Sequence, residues 1–368
     1  MKFEELNISD SLKKAIKNKG FKEPSEVQEK TIPAALAGKD LVGKSKTGTG
    51  KTAAFGIPII ELVERGKPFS ALVVTPTREL AQQVKEEIAS LCQGSRVNVV
   101  SVFGGQSIST QANALRRGPE IVVGTPGRLL DLLSRRMLSF SKAQFLVLDE
   151  ADKMFDMGFR YDIDRIIQHF PKHRQTMLFS ATMPKEILAL VEKHMQPDRI
   201  FFDLSQDNAP VESVEQFYVK VSHKQKVDAL LAILSKERNS KNLVFCRTKR
   251  TVDWLEKLLK KHGVQVYAIH GDRQQNSRKR TIDAFTASKN GIMLATDIVA
   301  RGIHVDDIDN VINFDLPSEA ETYIHRIGRT ARQGKKGRAI SFCSNPMDIH
   351  DLSQVAAYNN SHIAEWRV

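Results

Sequence analysis

The stretch that most constrains this chain is Ser45-Lys46-Thr47-Gly48-Thr49-Gly50-Lys51-Thr52, set between the short run Asp40-Leu41-Val42-Gly43 and the helix-forming Ala53-Ala54-Phe55. It reads as strand, tight loop and helix start. Such a loop turns several backbone N–H groups toward one anion, and the helix N-terminus adds partial positive charge. Lys51 would reach the β- and γ-phosphates of a nucleotide, and the Thr52 hydroxyl would hold Mg²⁺. Ser45 stands where the common G-x-x-x-x-G-K-[ST] pattern has glycine. Taken alone, a glycine-rich turn with a chance Lys-Thr is the plainer alternative.

The 368 residues exceed what one compact domain usually holds, so two domains are expected. With 41% hydrophobic and 27% charged residues the composition is that of a globular protein, and no apolar run is long enough to span a bilayer. Met1-Lys2-Phe3-Glu4-Glu5 is too acidic and polar to begin a signal peptide. Cys92, Cys246 and Cys343 are odd in number and far apart, proposing neither a disulfide framework nor a zinc site. An intracellular, reduced, cytoplasmic protein is expected, without membrane attachment. The formal net charge is +12, with 30 basic against 26 acidic residues in 1–212 and 25 against 17 in 213–368. This excess suits a polyanion without identifying one.

Along the chain, apolar strands alternate with helical patterns. Pro24-Ser25 looks like a helix start, with Gln28 in the first turn. Gln28 just ahead of the phosphate loop is a candidate base reader, with Phe21 as a stacking surface. Buried strands are expected at Ala71–Val74, Val97–Phe103, Ile121–Val123, Phe145–Leu148 and Met177–Phe179. Each runs into a polar cluster: Thr75-Pro76-Thr77-Arg78, Gly104-Gly105, Gly124-Thr125-Pro126-Gly127-Arg128, Asp149-Glu150-Ala151-Asp152 and Ser180-Ala181-Thr182. The pattern indicates a parallel sheet covered on both faces, with ligands at the carboxyl ends of its strands. Residues 204–212 lose the periodicity. It resumes with candidate strands Gln216–Val221, Asn242–Cys246, Gln265–Ile269, Ile292–Ala295, Val311–Phe314 and Ala339–Cys343, and with a clear helix at Val252–Lys261. Asp351 to Val368 is too weakly patterned to assign. In this half Arg326, Arg329 and Arg332 recur every three residues, so a helix would bring them to one side; set opposite a phosphate loop they read as arginine fingers rather than a solvated basic face.

A strand ending in Asp149-Glu150 supplies the acidic partner a phosphate loop requires, although such a pair also serves as a helix N-cap. Asp149 would hold the Mg²⁺, largely through water, and Glu150 would polarise the water that attacks the γ-phosphate. The pairing with Gly50-Lys51-Thr52 points to a nucleoside triphosphatase.

From about Phe3 to Cys343 the chain resembles the DEAD-box RNA helicases. The motifs are Gly20-Phe21 with Gln28, the phosphate loop, Pro76 to Leu80, Gly104-Gly105, Thr125 to Arg128, Asp149 to Asp152, Ser180 to Thr182, His270-Gly271, Ala295-Thr296-Asp297 through Arg301-Gly302, and His325 to Arg332. The resemblance implies an α/β protein of two RecA-like domains, each a parallel sheet covered by helices. The first spans 1–204, with an adenine-recognising segment 1–29; a short linker covers 205–212; the second spans 213–368. It implies ATP and Mg²⁺ in the cleft and RNA across the top. Phe21, Gln28, Ser45, Lys46, Thr47, Gly48, Thr49, Gly50, Lys51, Thr52, Gly302 and His304 would contact nucleotide. Catalysis would rest on Lys51, Asp149, Glu150, Arg329 and Arg332, with the metal on Thr52 and Asp149. Pro76, Thr77, Arg78, Gly105, Thr125, Gly127 and Arg128 would hold RNA in the first domain, and Gln275, Arg278 and Thr296 in the second. Asp152, Ser180, Thr182 and Arg326 would couple nucleotide state to domain closure.

Four departures from the family pattern stand out. Ser45 and Lys46 replace the commoner Ala-Gln, Ala331 and His304 stand where the family usually has glycine and aspartate, and no basic or glycine-rich tail is visible after Cys343. The glycine substitution matters if residue 331 needs positive φ. The contacts expected are to phosphate and sugar, so base specificity should be low. The leading expectation is a monomeric ATP-dependent RNA helicase or RNA–protein remodeller that unwinds short duplexes locally. An ATP-gated RNA clamp, or a DNA helicase of the same superfamily, is the alternative.

Overall fold

In a computed structural model of the chain, the structure describes residues 2–45, 49–204, 214–237, 239–273, 275–297, 308–317, 319–331, 336–359 and 361–366. The chain divides into two compact units, residues 1–207 and 208–368. The expected linker, 205–212, lies outside the described residues.

The first unit runs α1 (Asp10–Asn18), α2 (Glu26–Leu36), β1 (Leu41–Lys44), α3 (Lys51–Leu62), β2 (Ala71–Val74), α4 (Arg78–Leu91), β3 (Val99–Val102), α5 (Ile108–Leu115), β4 (Ile121–Gly124), α6 (Pro126–Ser134), β5 (Phe145–Asp149), α7 (Ala151–Asp156), α8 (Arg160–Ile167), β6 (Gln175–Ser180), α9 (Lys185–His194) and β7 (Ile200–Asp203). Its seven strands pair in parallel in the order β3-β4-β2-β5-β6-β1-β7. Successive side chains of a strand point to opposite faces, and both faces here are apolar. Val73, Val147, Met177 and Phe179 pack against the face covered by α2, α3 and α4, whereas Leu72, Leu146, Leu148 and Leu178 pack against α6, α8 and α9. Ser25 caps α2 as expected, its side chain and that of Gln28 each taking a backbone N–H of the other's end of the turn.

The second unit runs β8 (Val214–Lys220), α10 (Lys226–Lys236), β9 (Lys241–Phe245), α11 (Lys249–Lys261), β10 (Val266–Ile269), α12 (Gln275–Ala287), β11 (Gly291–Ala295), β12 (Asn310–Asn313), α13 (Ala320–Ile327), β13 (Gly337–Cys343), α14 (Pro346–Asn359) and β14 (Ile363–Glu365). The strand order, β10-β11-β9-β12-β13-β8-β14, repeats that of the first unit position for position, again with parallel pairing. Both units therefore have the expected architecture.

Two strands were not anticipated. β7 and β14 are the edges beside β1 and β8, and their side chains are at best half-buried. An edge strand has one neighbour and little apolar burial, so its sequence carries a weak signal. The unassigned stretch from Asp351 holds the rest of α14 and then β14.

Candidate nucleotide and nucleic-acid site

β1 delivers the chain to Ser45, whose N–H donates to the Ser180 carbonyl (2.9 Å) and whose own carbonyl accepts from Lys51 Nζ (3.1 Å). The Ser45 hydroxyl is buried and makes no hydrogen bond among the described residues. Lys46, Thr47 and Gly48 lie outside the described residues. Gly50 precedes α3 with φ +92°, and a Cβ there would collide with Gln28 Nε2. That amide donates to the Gly50 carbonyl (3.1 Å) while Gln28 Oε1 accepts from Ser25 N–H (3.0 Å), and Ser25 Oγ donates to the Thr49 carbonyl (2.8 Å). Gln28, expected to read adenine, is thus tied directly to the loop expected to hold phosphate. Gln28 keeps a second N–H and a second lone pair for a base edge. Phe21 stacks on Phe3, ring centroids 6.1 Å apart, so one face of the ring is already covered.

Asp149 ends β5, next to β6 and one strand from β1, and Glu150 follows at the N-cap of α7. Burial pushes the Asp149 carboxyl up to about 6, opposed by the nearby Lys51 ammonium. Its Oδ1 is buried and accepts no hydrogen bond among the described residues, which leaves a hard oxygen ligand of the type Mg²⁺ takes. No group of three or more His, Cys, Asp or Glu able to hold a metal occurs among the described residues. Glu150 adopts left-handed φ 55°, which turns the chain sharply between strand and helix and costs about 1–3 kcal/mol. Its Oε1 lies 2.8 Å from Lys153 Nζ, with the two side chains only 5% and 1% exposed. Lys153 was missed in the sequence, although its place three residues after Glu150 on a helix start is the i,i+3 spacing of an ion pair.

Asp152 holds the next strand end. Its Oδ2 accepts from the N–H groups of Ala181 (3.0 Å) and Thr182 (2.9 Å) and from Thr182 Oγ1 (3.3 Å), and its Oδ1 from Lys153 N–H (2.9 Å). Ser180 Oγ accepts in turn from Asp152 N–H (3.0 Å). Three of the four expected coupling residues are therefore in one network. The fourth, Arg326, is bonded inside the second unit: bidentate to Asp297 (2.6 and 2.7 Å), to Asn313 Oδ1 (3.0 Å) and to the Asp315 carbonyl (2.6 Å), with its guanidinium over the Phe245 ring.

The residues expected to touch RNA in the first unit follow β2, β3 and β4, three adjacent strands on the opposite side of the sheet from β6 and β1. Thr77 caps α4, accepting from Leu80 N–H, and Pro76 is buried beside it. Arg78 lies against Gly104 and Gly105, and Gly105 has φ +84°. A Cβ at 105 would strike the Arg78 guanidinium. Thr125 caps α6; Gly127 is exposed; Arg128 donates to Gln111 Oε1 (2.7 Å) and to the Gln106 carbonyl (3.1 Å). We expect Gly105→Ala to displace Arg78 and weaken RNA binding about five- to tenfold. The log–log salt slope should shrink by about 0.7, the value of one lost phosphate contact on a single strand. An anisotropy titration at several salt concentrations that gave wild-type affinity and slope would remove Arg78 from the RNA path.

In the second unit Thr296 follows β11, Arg278 is buried on α12, and Gln275 begins that helix. Arg329 is buried just beyond α13. Gly302, His304 and Arg332 lie outside the described residues. Ala331 has φ 55°, so the position where glycine was expected does use the left-handed region. Relief of that strain, about 1–2 kcal/mol, outweighs the extra unfolded-state entropy of glycine, about 0.4–1 kcal/mol. Ala331→Gly should raise the melting temperature of the second unit by about 1–4 °C; a lower value would mean that the strain is offset by contacts of the methyl group.

The DEAD/DEAH box helicase family model matches residues 25–190, and that of the helicase conserved C-terminal domain matches residues 225–334. The DEAD-box ATP-dependent RNA helicase CshA of Geobacillus kaustophilus is 43% identical over 355 residues, covering 96% of this chain and 75% of the relative. This chain belongs to the DEAD-box helicases. A second relative in the family, the ATP-dependent RNA helicase CshA of Listeria monocytogenes, is 45% identical over 343 residues, 93% of this chain; the match spans 66% of that protein, just under two thirds of its length. Among solved DEAD-box structures, Dbp5 of S. cerevisiae bound to RNA and ADP BeF3 matches with a TM-score of 0.89 at 31% identity, covering 99% of this chain and 95% of the other.

Proposed function

We propose that this chain is an RNA-stimulated ATPase that closes on RNA when ATP is bound, unwinds short duplexes or remodels RNA–protein complexes locally, and reopens on hydrolysis. The observation that carries this reading is the division of the first sheet's carboxyl edge. The ends of β1, β5 and β6 bear phosphate-loop, acidic and coupling residues, while the ends of β2, β3 and β4 bear Thr, Gly and Arg groups suited to a sugar–phosphate strand. Asp152 and Ser180 bind the first set into one network, so a change at the nucleotide has a direct covalent and hydrogen-bonded route to the strand ends.

In this reading Gln28 and Phe21 take the adenine, Lys51 the terminal phosphates, and Thr52 and Asp149 a Mg²⁺ that neutralises phosphate charge when bound. Glu150 orients and deprotonates the attacking water. Arg329 and Arg332 complete the site from the second unit, and Gln275, Arg278 and Thr296 extend the RNA contacts there. Cys92, Cys246 and Cys343 are free and buried, which supports a reducing, cytoplasmic setting. No described helix is long and apolar enough to cross a membrane. The protein acts as a monomer in this proposal.

ATPase rates with matched RNA and DNA oligomers, together with strand displacement of a short RNA duplex on the same preparation, test it. RNA should stimulate turnover at least tenfold more than DNA, and displacement should require ATP. Stimulation by RNA without displacement would favour the clamp, and equal stimulation by DNA would overturn the RNA assignment.

A further inference from the structure

α11 carries a feature that the nucleotide and RNA sites above do not use. Val252, Leu255 and Leu259 are fully buried against the sheet, and the opposite face carries Trp254, 50% exposed. On a helix the neighbours of residue 254 on its own face are three, four and seven positions away. Among those positions Arg250, Lys257 and Lys261 are exposed cations, while Thr251 and Leu258 are half-buried. None of the three has a carboxylate within 4 Å among the described residues. The cations on other faces of the same helix are neutralised: Lys249 pairs with Asp272 (2.5 Å) and Lys260 with Glu256 (2.8 Å). Asp253 and Glu256, the acidic residues of α11, are also taken up by Arg273 from the loop after β10. The acids of this helix therefore neutralise cations off the tryptophan face and leave those on it uncompensated. No described ring or cation covers the indole.

An exposed ring between unpaired cations is the combination that holds single-stranded nucleic acid, with bases stacking on the ring and phosphates meeting the side-chain charges. A protein partner would be met by such a face only if strongly acidic. The position of α11 favours a strand. Thr248 caps its N-terminus two residues after β9 and Cys246, and β9 neighbours β11, whose end bears Thr296. The helix therefore starts at the edge where RNA is expected and leads away from it. From Arg250 to Lys261 it covers about 16 Å, enough for up to about five nucleotides at about 3.4 Å or more each.

We propose that Arg250, Trp254, Lys257 and Lys261 form an accessory single-stranded RNA platform that extends the RNA path of the second unit. It rests on the RNA reading given above. With Trp366→Phe, Trp254 becomes the only tryptophan, and its fluorescence reports the site. Titration of the full chain with oligouridylates and a non-hydrolysable ATP analogue should quench the emission with a 15-nucleotide strand and leave it unchanged with a 6-nucleotide one. Trp254→Ala should cost about tenfold in affinity for the long strand. The triple variant Arg250→Gln, Lys257→Gln, Lys261→Gln should lower the salt slope by about 2, at about 0.7 per contact. Fluorescence anisotropy of labelled RNA gives both values without the Trp366 substitution. A long-strand affinity and salt slope unchanged in the Trp254 and triple variants, in a protein that still binds the short strand, would overturn the platform alone; a face that serves a protein instead gives that result. Loss of all RNA binding in the unsubstituted chain would overturn the RNA reading together with it.

Discussion

Glu150→Gln is expected to bind ATP and RNA with near-normal affinity while hydrolysing ATP about 10²–10⁴ times more slowly, the usual contribution of a positioned general base. The amide keeps the size of the carboxylate and a lone pair for Lys153 but takes no proton from water. Lys51→Ala should fail at an earlier step. Its ammonium is buried, donates to the Ser45 carbonyl and lowers the cost of charge on Asp149, so its loss removes a phosphate ligand and makes the Asp149 anion less favourable. Nucleotide titration and single-turnover hydrolysis on both variants separate the two roles. Equal loss of binding in both would contradict them. The Lys153 pair imposes a control. Glutamine leaves a buried ammonium facing a neutral group, and breaking a buried pair by removing one charge can cost about 3–5 kcal/mol. The melting temperature must therefore accompany the rate, and Glu150→Gln with Lys153→Met should recover stability without recovering turnover.

The parts of this molecule that were legible in the sequence are those where burial and periodicity coincide. β2, β4, β5 and β9 are short apolar runs closed on both faces, and each ends in a polar cluster, so both their existence and their functional edge could be read directly. The repeated strand order could not be read, because it depends on which runs pair across the sheet. β7 and β14 escaped notice for lack of burial, and Lys153 because a lysine next to an acidic motif suggests a solvated charge until its burial is seen. The hint about Ala331 came from comparison with a family pattern, and its positive φ supplied the physical reason for the family's glycine. Arg326 shows the limit of motif reading. Its spacing from Arg329 suggested one shared helical side, but α13 ends at Ile327, so Arg329 lies beyond the helix; the Arg326 guanidinium is bonded to Asp297, Asn313 and the Asp315 carbonyl.

Asp152→Ala should destabilise the first unit markedly. The carboxylate accepts from three backbone N–H groups and one hydroxyl, on Lys153, Ala181 and Thr182. Alanine offers those donors nothing. An orphaned buried donor costs about 1–3 kcal/mol, but Ala181 and Thr182 are only half-buried, so water would recover part of the loss. A total of about 2–4 kcal/mol lowers the melting temperature of a unit this size by about 5–15 °C. Ser180→Ala removes a single acceptor, that of Asp152 N–H, and should cost about 1 kcal/mol, or 2–4 °C. The two variants also separate stability from coupling. Below both melting temperatures each should retain nucleotide binding, because Lys51 and Gln28 reach the loop without passing through residue 152. Strand displacement should fall further than ATP turnover, since the strand end that senses Asp152 is no longer held. If Asp152→Ala melts with the wild type, the four contacts do not carry the load assigned to them. If displacement and turnover fall in parallel, residue 152 supports the fold of the site but does not link hydrolysis to movement.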